Sequence, residues 1–254
     1  MFSASALPRS VLFGLPFVSS EMKPLVDELL REAEHPEAPL LLAAADVHVA
    51  TRAVCEPDFG ACLARFSWIC PDGMPLVWLL KRRRAPGNPA RLSGPDIMEA
   101  FWRAGEGRPR VRHFLLGGSP ETLKALQGRL MAAHPAASLA GAYSPPYGSW
   151  DDAEQRRIRR LIADSGATCV WVGLGCPKQE RWLAEHIDVL PPALYFAVGA
   201  AFDFHAGTIR RAPLWMQRHG LEWFYRLCRE PRRLFGRYFK HNALFLYYLL
   251  AGRA

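Results

Sequence analysis

Thr168-Cys169-Val170-Trp171-Val172-Gly173-Leu174-Gly175-Cys176-Pro177-Lys178-Gln179-Glu180 decides how the rest of the chain is read. A short apolar run of β-branched and aromatic residues has the length of a buried strand. It meets a glycine turn and a proline, and an amphipathic stretch follows. Strand, tight turn and helix together are the repeating piece of a parallel sheet. The turn amides and the helix N-terminus could receive a phosphate, with Lys178 as counter-charge, or the turn could simply reverse the chain. The third glycine of the dinucleotide fingerprint is missing.

Outward from this unit the same pattern repeats. Apolar runs at 11–15, 39–44, 67–70, 111–116, 138–142, 168–174 and 193–198 alternate with amphipathic stretches of about a dozen residues. The spacing predicts an α/β protein: a Rossmann-like parallel-sheet core with helices on both faces. Helix starts are legible at Ser93-Gly94-Pro95-Asp96, Ser119-Pro120-Glu121 and Trp150-Asp151-Asp152, where capping hydroxyls, first-turn prolines and first-turn acids stand where a helix favours them. Gly117-Gly118, Gly173-Leu174-Gly175 and Gly199 each follow a strand. Ligands of open parallel sheets bind beyond the carboxyl ends of strands, so these turns are expected to ring the site.

A chain of 254 residues supports one well-buried core plus an appendage. With 50% hydrophobic and 22% charged residues it is neither disordered nor fibrous. Its 32 Lys and Arg against 24 Asp and Glu point to a polyanionic partner: nucleic acid, anionic lipid or a diphosphate. Six cysteines without a C-x-x-C pair read as free thiols of a reducing compartment, and no zinc site is expected. Pro8, Arg9 and Pro16 interrupt the early hydrophobics, so no signal segment is recognised and the catalytic part is expected in the cytoplasm.

The composition changes near Arg210. Between Arg210 and Lys240 nine Lys or Arg face two acids, Glu222 and Glu230, and are interleaved with aromatics. We therefore divide the chain into a core, 1–209, and a basic, aromatic helical appendage, 210–254. The last apolar run, 243–251, is far shorter than the roughly 20 residues that span a bilayer; it can lie on a membrane but not cross one.

Two carboxylates stand just past strands. Asp72 in Pro71-Asp72-Gly73 is placed to act as a general base, although Pro-Asp-Gly is also a common turn. Asp203, amid apolar residues, either caps a local turn or meets a ligand or an arginine. His205 beside aromatics reads as structural. No Asp-x-Asp pair is present to hold a divalent ion on a diphosphate, which leans against metal dependence.

Taken in order and spacing, these segments resemble the WecG/TagA/CpsF glycosyltransferase family. The matching residues include Ala44-Ala45-Asp46-Val47-His48, Pro71-Asp72-Gly73, Arg91-Leu92-Ser93-Gly94-Pro95-Asp96, Gly173 through Glu180, Gly199-Ala200-Ala201-Phe202-Asp203, Arg211-Ala212-Pro213, Glu222-Trp223, Tyr225-Arg226-Leu227 and Glu230-Pro231-Arg232-Arg233-Leu234. The resemblance implies an inverting transferase without metal or other cofactor, moving a hexose from a UDP-sugar to a polyprenyl-diphosphate-linked sugar during surface polysaccharide biosynthesis. It implies Asp72 as general base, Arg91, Gln179 and Asp203 in the donor pocket, and Arg226 and Arg233 near the diphosphate. It also implies an appendage that meets the inner face of the cell membrane. Lys178 and Asp46 are the remaining candidate substrate contacts. Where the family usually shows Thr-x-Asn, this chain has Ala44-Ala45-Asp46. The altered hydrogen-bonding groups imply a different donor sugar, one without an N-acetyl group.

Other readings are weaker. A nicotinamide-dependent oxidoreductase needs a complete glycine fingerprint, which none of the three turns provides. A nucleic-acid-binding or nucleotide-binding protein without transferase activity could use the basic, aromatic tail, but the adjoining apolar run fits an anionic membrane better and no nucleic-acid partner is expected. The tail could also simply cover the sheet, and a homo-oligomer is compatible with the chain.

Overall fold

The computed structural model describes residues 6–252, except for the side chain of Arg233. Eight strands form one sheet: β1 (Arg9–Leu12), β2 (Leu15–Val18), β3 (Leu40–Ala45), β4 (Trp68–Pro71), β5 (Arg112–Gly117), β6 (Ser138–Tyr143), β7 (Cys169–Gly173) and β8 (Leu194–Ala197). Their order is β1-β2-β4-β3-β8-β7-β5-β6, and every pair is parallel except β1 with β2. The expected α/β core is therefore observed.

One difference lies at the start. The apolar run at 11–15 is a hairpin rather than one strand: Phe13 and Gly14 both have positive φ, 53° and 74°, and turn β1 back onto β2. Phe13 carries no turn signature, so hydrophobicity alone masked the reversal. The capped starts are as expected. Ser93 and Ser119 accept from the amides of Asp96 and Thr122, and Asp151 accepts from that of Glu154, opening α5 (Gly94–Gly105), α6 (Pro120–Ala133) and α7 (Asp152–Ser165).

Both faces of the sheet are covered. One carries α2 (Val47–Cys55), α3 (Pro57–Leu63), α4 (Met74–Arg82), α7 and α8 (Lys178–His186); the other carries α1 (Met22–Glu34), α5, α6 and α9 (Ala201–Ala206). β7 shows the cause: Val170 and Val172 enter the first core while Cys169 and Trp171 enter the second, all fully buried. Period-two alternation thus puts apolar groups on both faces, each buried Val or Leu contributing roughly 1.5–3 kcal/mol. The neighbours β3 and β8 send their following helices, α2 and α9, to opposite faces. A crevice must open between those helices at the strands' carboxyl ends.

Three further helices follow: α10 (Leu214–Arg218), α11 (Glu222–Arg229) and α12 (Pro231–Leu250). On α12, Leu234, Tyr238 and His241 are buried, one turn apart in succession. Phe245 and Tyr248 continue that face and meet the Phe13 ring at 5.6 and 6.3 Å. α12 thus lies against α2 and the hairpin tip. No described helix is long and apolar enough to cross a membrane.

Candidate active site

The crevice is a cavity of about 500 Å³ bounded by the ends of β3, β4, β7 and β8 and roofed by α11 and α12. Asp46, Asp72, Arg91, Gln179, Asp203 and Arg226 all line it, although they come from six separate stretches of chain. Lys178 is not among its lining residues. Its ammonium donates to the Gly148 carbonyl at 2.5 Å and sits 3.7 Å from the centroid of the Trp150 ring, outside the cavity. The side chain of Arg233 lies outside the described residues.

Asp72 follows β4 directly, its amide donating to Ala45 on β3 at 3.0 Å. Its side chain is partly open to the cavity, and among the described residues no donor hydrogen-bonds the carboxylate. Loss of hydration pushes its pKa up to about 7; Arg91 pulls the other way, while Asp46, Glu222 and Asp96 add to the rise. A carboxylate poised near neutrality, without a protein partner and facing a cavity, can accept a proton from a bound hydroxyl.

Arg91 is held by the protein itself. It donates to Asp96 at 2.8 Å and to Glu222 at 2.6 Å, while Arg211 donates to Asp96 at 2.6 Å. Burial disfavours the Arg91 charge, but Asp72, Glu222 and Asp96 outweigh it and raise its pKa. Burial likewise disfavours the Asp96 carboxylate, and Arg211 with its neighbours overcomes it, holding Asp96 down at about 2. The four charges tie the loop between α4 and α5, α5 itself and the segment after α9 to α11.

Gln179 is buried and braces two glycine turns. Its Oε1 accepts from the amides of Gly175 at 3.2 Å and Gly199 at 3.1 Å, and its Nε2 donates to Glu180 at 2.8 Å. Glu180 is 1% exposed, and its Oε2 has no hydrogen-bond partner; burial lifts its pKa to about 7. The third glycine turn does not line the cavity. Gly117 and Gly118 instead abut Gly173 and Phe202, where a Cβ on Gly117 would lie 2.6 Å from the Gly173 carbonyl oxygen. Two of the three turns, not all three, therefore border the site.

Asp203 lines the cavity and also accepts from the Thr208 hydroxyl at 3.3 Å, combining a local cap with a position at the site. His205 bonds the Pro95 carbonyl at 2.9 Å and is structural. Asp46 opens α2, its Oδ1 accepting from the Val49 amide at 3.0 Å.

The appendage adds residues that the sequence did not single out. Arg237, Tyr238 and His241 of α12 line the cavity. The Nε atoms of Arg226 and Arg237 are buried without a hydrogen-bond partner, and neither guanidinium has a carboxylate partner among the described residues. Arg226 lies over the Phe204 ring at 5.4 Å and Arg237 over the Tyr238 ring at 5.2 Å, and two guanidiniums with no carboxylate to neutralise them on one cavity wall make an anion receptor. His241 Nδ1 lies 2.8 Å from the Thr51 hydroxyl, and its ring meets that of His48 edge to face at 4.4 Å. Burial lowers both imidazole pKa values, that of His241 to about 4, so the contact between α2 and α12 is uncharged at neutral pH. The 3.6-residue spacing of Leu234, Tyr238 and His241 was the available signal for the inward face of α12. Among the described residues no group of three or more His, Cys, Asp or Glu side chains converges as a metal site.

A model of the glycosyl transferase WecG/TagA/CpsF family matches residues 10–254. The chain is also similar to an N-acetylglucosaminyldiphosphoundecaprenol N-acetyl-beta-D-mannosaminyltransferase of Bacillus subtilis (strain 168). The two are 27% identical over 227 residues, spanning 89% of this chain and 86% of that protein.

Proposed function

The chain belongs to the glycosyl transferase WecG/TagA/CpsF family, and on that premise we propose that it moves a hexose from a UDP-sugar onto a polyprenyl-diphosphate-linked sugar, with inversion and without a metal ion. The observation that carries this reading is the pairing, within one cavity, of a carboxylate poised near pH 7 with two arginines that have no carboxylate partner among the described residues, Arg226 and Arg237. Asp72 takes the proton of the acceptor hydroxyl. The resulting oxygen attacks the anomeric carbon as the bond to the donor diphosphate breaks, and a single displacement inverts that centre. Charge grows on the departing diphosphate, where the guanidiniums and the amides of the glycine turns stabilise it. Arg91 and Gln179 act by holding the walls: the first fixes α11, the second the turns at Gly175 and Gly199. The printed name of the Bacillus subtilis relative, with its undecaprenol-linked diphosphate sugar, supports a lipid-linked acceptor.

The donor differs from an N-acetyl sugar in this proposal. An Asn at position 46 would cap α2 as well as Asp46 does; the second oxygen of the carboxylate is what distinguishes them. An amide NH₂ can donate to an acetamido carbonyl, whereas a carboxylate accepts from a sugar hydroxyl. Asp46→Asn is therefore expected to move donor preference toward N-acetylhexosamines with little change in thermal stability.

The protein works at the inner face of the cell membrane, where Phe235, Phe239 and Leu250, exposed on α12, meet lipid. The deciding assay is nucleoside-diphosphate release from a panel of UDP- and GDP-sugars, with a polyprenyl-diphosphate-sugar acceptor series and chelator throughout. Acceptor-dependent release from one donor bears the proposal out. Release only without chelator removes metal independence, and none from any donor removes the substrate assignment.

A further inference from the structure

α4 runs into four consecutive exposed cations, Lys81, Arg82, Arg83 and Arg84, and no Asp or Glu occurs between Asp72 and Asp96. Cations at a helix C-terminus complement its dipole, but that effect fades within the last turn and does not require four. Arg83 is engaged, donating to the Val11 carbonyl at 3.2 Å. Lys81, Arg82 and Arg84 have no carboxylate partner among the described residues. Trp78 lies three and four positions before Lys81 and Arg82, on the same helix face, and is 51% exposed. A half-exposed indole beside unpaired cations is the composition of a surface that enters a lipid headgroup layer.

Its position gives this composition a purpose. Gly220, between α10 and α11, rests on this helix: a Cβ there would lie 2.9 Å from Cβ of Met74 and 3.1 Å from the Trp78 ring. The exposed face of α4 is thereby continuous with the turn flanked by exposed Trp215 and Trp223. Two acid-poor segments, more than a hundred residues apart in the chain, form one basic and aromatic surface beside the cavity roof.

We propose that the Trp78–Arg84 end of α4 is the core's own half of a lipid-docking surface, with Lys81, Arg82 and Arg84 taking the phosphates of anionic headgroups while Trp78 enters the headgroup layer. The proposal rests on the reading of this protein as one that works at a membrane. It adds a second point of attachment to the appendage, and two points fix the angle at which the cavity faces the membrane, where one would leave it free to swing.

The test uses the full chain and vesicles of phosphatidylcholine with or without phosphatidylglycerol. Neutralising a cation near an anionic surface weakens binding roughly fivefold. The triple variant Lys81→Gln/Arg82→Gln/Arg84→Gln should therefore float with phosphatidylglycerol vesicles about a hundredfold less well than the parent, with the difference shrinking at high salt. Trp78→Ala should weaken binding to both vesicle types. Turnover with a short-chain, water-soluble acceptor should stay unchanged in all these variants, since none of the altered residues lines the catalytic wall. A triple variant that binds as tightly as the parent overturns the proposal and leaves docking to the appendage. A parent that binds neither vesicle type overturns both this proposal and the membrane reading. A parent that floats but transfers no sugar to the soluble acceptor removes the transferase assignment alone, and the flotation comparison still decides the role of α4.

Discussion

Glu222, on α11, accepts from the Arg91 guanidinium at 2.6 Å, joining residues 131 positions apart and fixing the roof of the cavity to the loop that leads into α5. Both side chains are largely buried, and Arg211 approaches the same carboxylate at 3.6 Å. Removing one member leaves charge uncompensated in a poorly hydrated place. Glu222→Ala is expected to cost about 1–3 kcal/mol of stability and to lower kcat/KM. Differential scanning calorimetry and donor kinetics measure the two effects. A variant with unchanged turnover would show that α11 needs no such anchor.

Asp72→Asn should abolish turnover and leave donor binding largely intact. In the parent, kcat should climb about tenfold per pH unit below a pKa of about 7 and level off above it, because the base must be ionised.

The same group makes stability depend on pH. Its folded pKa lies above the unfolded value of 3.8. Between those values the native chain holds a proton that the unfolded chain has lost, so stability falls as pH rises from about 4 to 7. Asp72→Asn should therefore be more stable than the parent near pH 8, by about 1–2 kcal/mol, and equal to it near pH 4. The gain is less than the full shift implies, because water in the cavity still reaches the carboxylate. Equal melting temperatures at both pH values would mean the carboxylate is well hydrated.

Arg226→Ala and Arg237→Ala each remove a guanidinium without a carboxylate partner. We expect kcat/KM to fall about ten- to a hundredfold, as for loss of a charged hydrogen bond. Melting temperature should change little, and weaker inhibition by free nucleoside diphosphate should accompany the loss. An undiminished response to that inhibitor would take these arginines off the diphosphate.

Glu180→Ala is expected to raise KM for the donor, because Gln179 then loses the acceptor that directs its Oε1 at Gly175 and Gly199. Glu180→Gln keeps an acceptor and should restore most of the affinity. Failure of the Gln variant to do better than Ala would assign Glu180 to packing alone.

Much of this protein was legible in its sequence because the decisive signals are local. Val170 and Val172 against Cys169 and Trp171 establish a strand buried on both faces, Ser93 and Ser119 mark where helices begin, and Pro71-Asp72-Gly73 places a carboxylate at a strand's end. Each depends on neighbours within a few residues, whose physics is written in their order. The hairpin at Phe13-Gly14 is masked in the sequence because its one turn residue, Gly14, stands inside a continuous apolar run and its other, Phe13, is apolar.

Tertiary structure decided what depends on distance through space. Lys178 and Gln179 adjoin in the chain, yet one turns out to Gly148 and Trp150 while the other braces the cavity turns. Arg91 lines the cavity, and only the fold gives it Asp96 and Glu222 as partners there. Arg237 and His241 became part of the site only because α12 folds back over α2. Desolvation and charge pairing fall off over a few ångströms of space, not of sequence. The residue types present are therefore a property of the chain alone, and which of them are left unpaired for a substrate is a property of the fold.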